Sequence, residues 1–159
     1  MRSNDVLLGM PYNFIQFTGL QEILAGWLEL EIGTYNHYSD SLHLYNRDTP
    51  KVGIAEDVTV ENDDSLSLRK YETDKIYKEI YERMKSLVSG SIIEKEIYSL
   101  AQMNSEYAAY NNMMLIIASY AAQKNHFDDL AEELVSKCSN RVYVTMWNRW
   151  IARKGVNKG

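Results

Sequence analysis

Arg2 carries a planar fork of N–H donors suited to a phosphate, and Ser3 beside it adds a hydroxyl donor. Asn13 presents an amide donor and a carbonyl acceptor on one short side chain, a pair that reads a ring edge carrying the complementary pair. His43 and Tyr45 stand two apart in an extended stretch, so they share a face and lie about 7 Å apart along it. Asp5 adds an acceptor, and Gly9 lets backbone approach a ligand closely. Each residue also has a plain structural reading. Arg2 suits a solvated strand end, Asn13 suits the cap of the helix that follows, and a His and a Tyr on a strand suit ordinary packing.

The other chemistry-bearing residues carry less. The sole cysteine, Cys138, lies in a helical, acidic segment and reads as an inert, partly buried thiol. One cysteine makes neither an internal disulfide nor a multi-cysteine zinc site, and the redox reading is a reducing cytosol. His37, His43 and His126 lack metal-ligand spacing, so no metal is expected. Neither a Gly-rich phosphate loop nor a G-x-S-x-G motif is present. The formal charge of −5 excludes a domain-wide basic surface, so nucleic acid is not an expected partner. The opening MRSNDVLLGMPYNF lacks the apolar core of a signal peptide. The longest apolar run, Met113 to Ala122, is far short of the roughly 18 residues that span a bilayer. The expectation is a cytoplasmic chain with no membrane partner.

The elements that position these residues follow from period and punctuation. The 159 residues, 45% hydrophobic and 25% charged, suit one globular domain with or without an extension. Residues 1–50 hold two basic and six acidic residues, both prolines and half of the eight glycines. Residues 2–8 read as extended. From Tyr12 to Glu29 the apolar positions recur at three and four, which predicts a helix, with Pro11 suited to its first turn. Gly19 and Gly26 lie inside it, and close packing against a sheet is their expected compensation. Thr34 to Tyr45 reads as a strand. Residues 51–70 read as an acidic loop with a short strand near Val58 and Val60. Residues 71–159 read as helices. Ile76, Ile80, Met84 and Leu87 form a stripe that Gly90 breaks, and Ser91 to Gln123 holds one or two helices. Asp128 or Asp129 would cap the next helix, Val144, Trp147, Trp150 and Ile151 mark the last, and the tail ARKGVNKG would fray. The fold class is α+β: a strand-helix-strand N-terminal part, then a mostly helical region of unassigned role.

Arg2-Ser3 next to Asp5, then Gly9, Pro11 and Asn13, a helix, and His43-x-Tyr45 together resemble the thymidylate synthase family, which includes the pyrimidine deoxynucleotide hydroxymethylases. That family carries R-S-x-D, G-x-P-[FY]-N, a helix and H-x-Y in this order. The resemblance covers about residues 1–48 and corresponds to the C-terminal part of the family's pattern. It implies that Arg2 and Ser3 hold the 5′-phosphate of a pyrimidine nucleotide. It makes Asn13 the base reader: uracil offers O4 as acceptor and N3–H as donor, cytosine the reverse, so deoxyuridylate is favoured over deoxycytidylate. It assigns His43 and Tyr45 to the sugar 3′-hydroxyl, and Asp5 and Gly9 to the folate side.

The family transfers one carbon from 5,10-methylenetetrahydrofolate to C5 of the pyrimidine after a cysteine thiolate adds to C6. Its nucleophile lies before the R-S-x-D motif, whereas this sequence reaches Arg2 directly after Met1. The expectation is therefore a homodimeric, thymidylate synthase-like part with no catalytic residue of its own, inactive until a cysteine-bearing segment is supplied. Whether the chain acts as an enzyme stays open at this stage. The alternative is a non-catalytic nucleotide-binding or helical interaction module.

Overall fold

A computed structural model of the chain describes residues 4–7, 9–51 and 60–156. The chain divides into two compact units, Met1–Thr59 with Leu66–Lys70, and Val60–Ser65 with Tyr71–Gly159. The architecture is mostly helical with one small sheet.

In the first unit, strand β1 (Asn4–Asp5) leads into helix α1 (Gly9–Leu28), and strand β2 (Leu42–His43) returns parallel to β1. Asn4 lies opposite Leu42, and Asp5 opposite His43. Short 3-10 geometry follows over Asn46–Lys51. The strand-helix-strand order agrees with the sequence reading, but the strand expected over Thr34–Tyr45 shrinks to two residues. A strand persists only where a neighbour takes its backbone hydrogen bonds. Among the described residues β1 supplies a neighbour for that stretch: Asn4 N–H donates to Ser41 O, and Val6 N–H to His43 O.

Helix α1 ends without glycine. Glu29 takes φ 55°, and Leu30 N–H reaches back to Ala25 O at 2.9 Å, which satisfies an orphan carbonyl. The glycines inside α1 meet an irregular segment rather than a sheet. A Cβ at Gly26 would stand 2.5 Å from Leu68 N and 2.7 Å from Leu68 O, while one at Gly19 would make an ordinary 3.7 Å contact with Leu66. Glu22 holds the same segment by accepting the Leu66 N–H at 2.8 Å.

The second unit holds α2 (Lys70–Leu87, whose first residue belongs to the other unit), α3 (Glu94–Ala101), α4 (Ala108–Lys124), α5 (Asp128–Ser136) and α6 (Arg141–Val156). Gly90, at φ +50°, lies beyond the end of α2. Helix α4 packs against α3 and α5, and α6 against α5. Tyr110, Met114, Ala118 and Ala122 of α4 are fully buried with Ile97 and Leu134, which explains why the apolar run there is almost continuous. On α2, Ile76, Ile80 and Leu87 are buried as the stripe predicts, but Met84 is exposed.

Three local expectations change. Phe127, not Asp128, occupies the cap of α5, and Asp128 and Asp129 sit in its first turn, where carboxylates complement the helix dipole. Helix α6 continues through Val156, so residues 152–156 of the tail are helical rather than frayed. Val60 lies in no strand, and Val58 falls outside the described residues.

A buried polar seam ties residues 62–64 to this unit. Asn112, inside α4, donates to both Asp64 carboxylate oxygens and accepts the Ser139 N–H. Asn140 donates to Asp64 at 2.6 Å and to Asn62 at 2.7 Å, and its side-chain oxygen accepts the Val142 N–H. Among the described residues no helix is long and apolar enough to cross a membrane.

Candidate functional site

The site residues named from the sequence fall on the β1–α1–β2 unit. Arg2 and Ser3 lie outside the described residues. Asp5 sits across from His43 in the parallel ladder, so the two separated halves of the motif become neighbours through strand register. Asp5 Oδ1 accepts the Leu7 N–H at 2.8 Å, which shapes the turn between β1 and α1. Gly9 opens α1, and its missing side chain leaves room for the Asn4 carboxamide, which a Cβ would strike.

Asn13 lies one turn into α1, so it is not the cap residue. Its Nδ2 donates to Asn4 Oδ1 at 3.2 Å. Asn4, the unspecified position of R-S-x-D, is 3% exposed. Its own Nδ2 lies 3.2 Å from His37 Nε2, and His37 Nδ1 lies 3.0 Å from the Tyr35 hydroxyl. Phe14 packs edge-on against both rings, at 5.2 Å from His37 and 6.1 Å from Tyr35.

His43 and Tyr45 do meet. Their ring centroids are 4.9 Å apart at 82°, although Tyr45 lies beyond the end of β2. The Arg47 guanidinium stands 5.1 Å over the Tyr45 ring and pairs with Asp48 at 3.5 Å. Asp48 is buried, and its N–H donates to Tyr45 O. This places a cation at the His43–Tyr45 pair of the motif, within residues 1–50, where acidic residues outnumber basic ones six to two.

Sequence reasoning did not name Asn4, Tyr35, Arg47 or Asp48, and considered His37 only as a metal ligand. Asn4 adjoins Ser3 and Asp5 inside the motif, and Arg47 follows Tyr45 by two, so proximity was the available signal. Nothing local marks Tyr35 or His37, because they reach Asn4 through the irregular segment after α1. Among the described residues no group of three or more His, Cys, Asp or Glu side chains could hold a metal ion.

Cys138 belongs to the helical unit and is 7% exposed. Burial pushes its thiol up, the negative charge of Asp64 adds to this, and a backbone hydrogen bond at Asn140 opposes it. A raised thiol is a poor source of the thiolate that nucleophilic chemistry needs.

Comparison with known proteins agrees with the motif. Residues 1–88 match the thymidylate synthase family model, which extends beyond residue 48 through α2. A thymidylate synthase of Symbiobacterium thermophilum is 39% identical over 44 residues, 28% of this chain and 16% of that protein. One from Bacillus licheniformis is 38% identical over 53 residues, 33% of this chain and 19% of that protein. The deoxyuridylate hydroxymethyltransferase of Bacillus phage SP01 is 44% identical over 45 residues, 28% of this chain and 12% of that protein. The chain thus spans less than a fifth of each of these relatives. No solved structure matches it. With the family match covering more than half of its length, this chain belongs to the thymidylate synthase family.

Proposed function

We propose that residues 1–50 form the base- and sugar-recognising part of a thymidylate synthase-like site for deoxyuridylate. The observation that carries this reading is the register of β1 and β2. It brings Asp5 beside His43, while Asn13 is tied back to β1 through Asn4. In this reading Arg2 and Ser3 hold the 5′-phosphate with charge-assisted hydrogen bonds. Asn13 accepts N3–H and donates to O4 of uracil, and His43 with Tyr45 takes the 3′-hydroxyl and so favours deoxyribose. Asp5 fits the folate side in kind, because a carboxylate accepts the N–H donors of a pterin ring. Bound methylenetetrahydrofolate supplies the one-carbon unit that reaches C5, as methyl or hydroxymethyl.

The nucleophile of this reaction comes from outside these 159 residues, since Cys138 is their sole cysteine and is buried. The apolar surface of α1 supports the same view. Ile15, Leu20, Leu24 and Leu28 are exposed, and a helix apolar on so many sides suits the interior of a larger assembly, here a homodimer whose protomers include a cysteine-bearing segment. A non-catalytic nucleotide-binding or interaction module is the second reading. It is favoured by the core of the helical unit, most of which lies beyond the family match.

Calorimetry with deoxyuridylate, uridylate and deoxycytidylate tests the proposal. Deoxyuridylate is expected to bind best, with the preference lost in Asn13→Ala and the affinity lowered in Arg2→Ala. The chain alone is expected to give no turnover, and addition of a family segment with its cysteine to restore it. Absence of binding by any of the three at millimolar concentration overturns the site. Binding with no turnover after reconstitution favours the second reading.

A further inference from the structure

We infer that Asn4, through His37 and Tyr35, sets the orientation of the Asn13 carboxamide and thereby the choice between uracil and cytosine. The inference rests on the reading of Asn13 as base reader and adds the device that aims it. An amide nitrogen only donates, so Asn4 Nδ2, 3.2 Å from His37 Nε2, requires that nitrogen to be an unprotonated acceptor. In the neutral ring the proton then resides on Nδ1, which donates to the Tyr35 hydroxyl at 3.0 Å. With Asn4 Nδ2 committed to His37, its Oδ1 faces Asn13 and accepts the Nδ2–H at 3.2 Å. Every bond of the chain Asn13→Asn4→His37→Tyr35 runs in one direction.

Swapping the ends of the Asn13 amide alone would set Oδ1 against Oδ1 of Asn4, two acceptors in a half-buried contact, which leaves the buried Asn4 oxygen without its donor. A reversed amide therefore requires Asn4 to turn as well, and that requires the His37 proton to move to Nε2. Uracil and cytosine differ by the same exchange of donor and acceptor. With Asn4 in place, the tautomer of His37, two hydrogen bonds from Asn13, thus fixes which pyrimidine edge Asn13 matches. Phe14, packed on the His37 and Tyr35 rings, holds the relay in place. Asn4 acts here through Asn13 and is a positioning residue.

Two measurements on the full chain test this. Nitrogen-15 NMR of the imidazole is expected to show His37 Nε2 unprotonated and Nδ1 protonated in the neutral ring, and needs no nucleotide. Calorimetry then compares the ratio of deoxyuridylate to deoxycytidylate affinity among variants. Asn4→Leu is expected to lower the ratio by about tenfold, the scale of one hydrogen bond's discrimination. Asn4→Asp keeps an acceptor for Asn13 and is expected to keep the ratio, with the His37 proton moved to Nε2 because a carboxylate accepts from that nitrogen and cannot donate to it. A purely structural role would weaken both nucleotides alike and leave the ratio intact. An Asn4→Leu ratio equal to wild type, with the ratio lost in Asn13→Ala, overturns the relay and leaves the base reader standing. Failure of the wild type to bind either nucleotide overturns both. In the wild type, a His37 proton on Nε2 overturns the relay whatever binds, including where Asn4→Leu does not fold.

Discussion

Cys138 donates its thiol hydrogen toward Asn140 O at 3.7 Å, in the connection between α5 and α6. Because burial raises its pKa, the thiolate fraction near neutrality is below that of a free cysteine. Alkylation by iodoacetamide at pH 8 should be roughly tenfold or more slower in the folded chain than in denaturant. The folded rate should also keep rising with pH beyond the range where a free thiol levels off. Equal rates in both states would identify an accessible, activated thiol and reopen the question of its chemistry. At the same scale, the Tyr107 hydroxyl donates to Glu72, and that carboxylate is the main reason the phenol is pushed up to about 12. The bond connects the start of α2 to the cap position of α4 within the helical unit.

Helix α1 holds two glycines that look alike in the sequence and differ in their surroundings. Replacing either by Ala adds helix propensity of about 1 kcal/mol. At Gly19 the new methyl makes only an ordinary contact with Leu66, so Gly19→Ala should stabilise the first unit by roughly 0.5–1 kcal/mol. At Gly26 the methyl meets the Leu68 backbone and Ser67 Oγ at 2.5–2.8 Å, and backbone does not yield cheaply. The overpacking cost of about 1–3 kcal/mol outweighs the propensity gain, so Gly26→Ala should destabilise. Denaturant titration of the two variants checks the opposite signs. A stabilised Gly26→Ala would mean that residues 66–68 do not lie on α1. The polar seam is the counterpart in the helical unit, where buried Asn112 and Asn140 gather Asn62, Asp64 and Ser139 and leave their amides satisfied.

For the whole molecule, the dominant feature is exposed apolar surface on α1, where Ile15 is 71% and Leu28 66% exposed. Exposed apolar surface of this extent favours association in water. Sedimentation of the isolated chain should show self-association, and Ile15→Glu with Leu28→Glu should reduce it. A strictly monomeric wild type at high concentration would remove the argument that α1 is an interior helix. What the sequence determined by itself is largely local or ordered along the chain. The motif from Arg2 to Tyr45 carried the family, the three-and-four spacing carried α1, and the stripe of Ile76, Ile80 and Leu87 carried α2. These are readable because motif spacing and helix period are properties of neighbouring residues. Tertiary structure alone decided that, among the described residues, strand pairing within Thr34–Tyr45 is confined to Leu42–His43, that Gly26 lies under Leu68, and that Asn13 meets Asn4, with His37 and Tyr35 behind it. Each of those outcomes depends on which distant segment comes back to satisfy a donor, an acceptor or a gap, and no periodicity in the chain encodes that return.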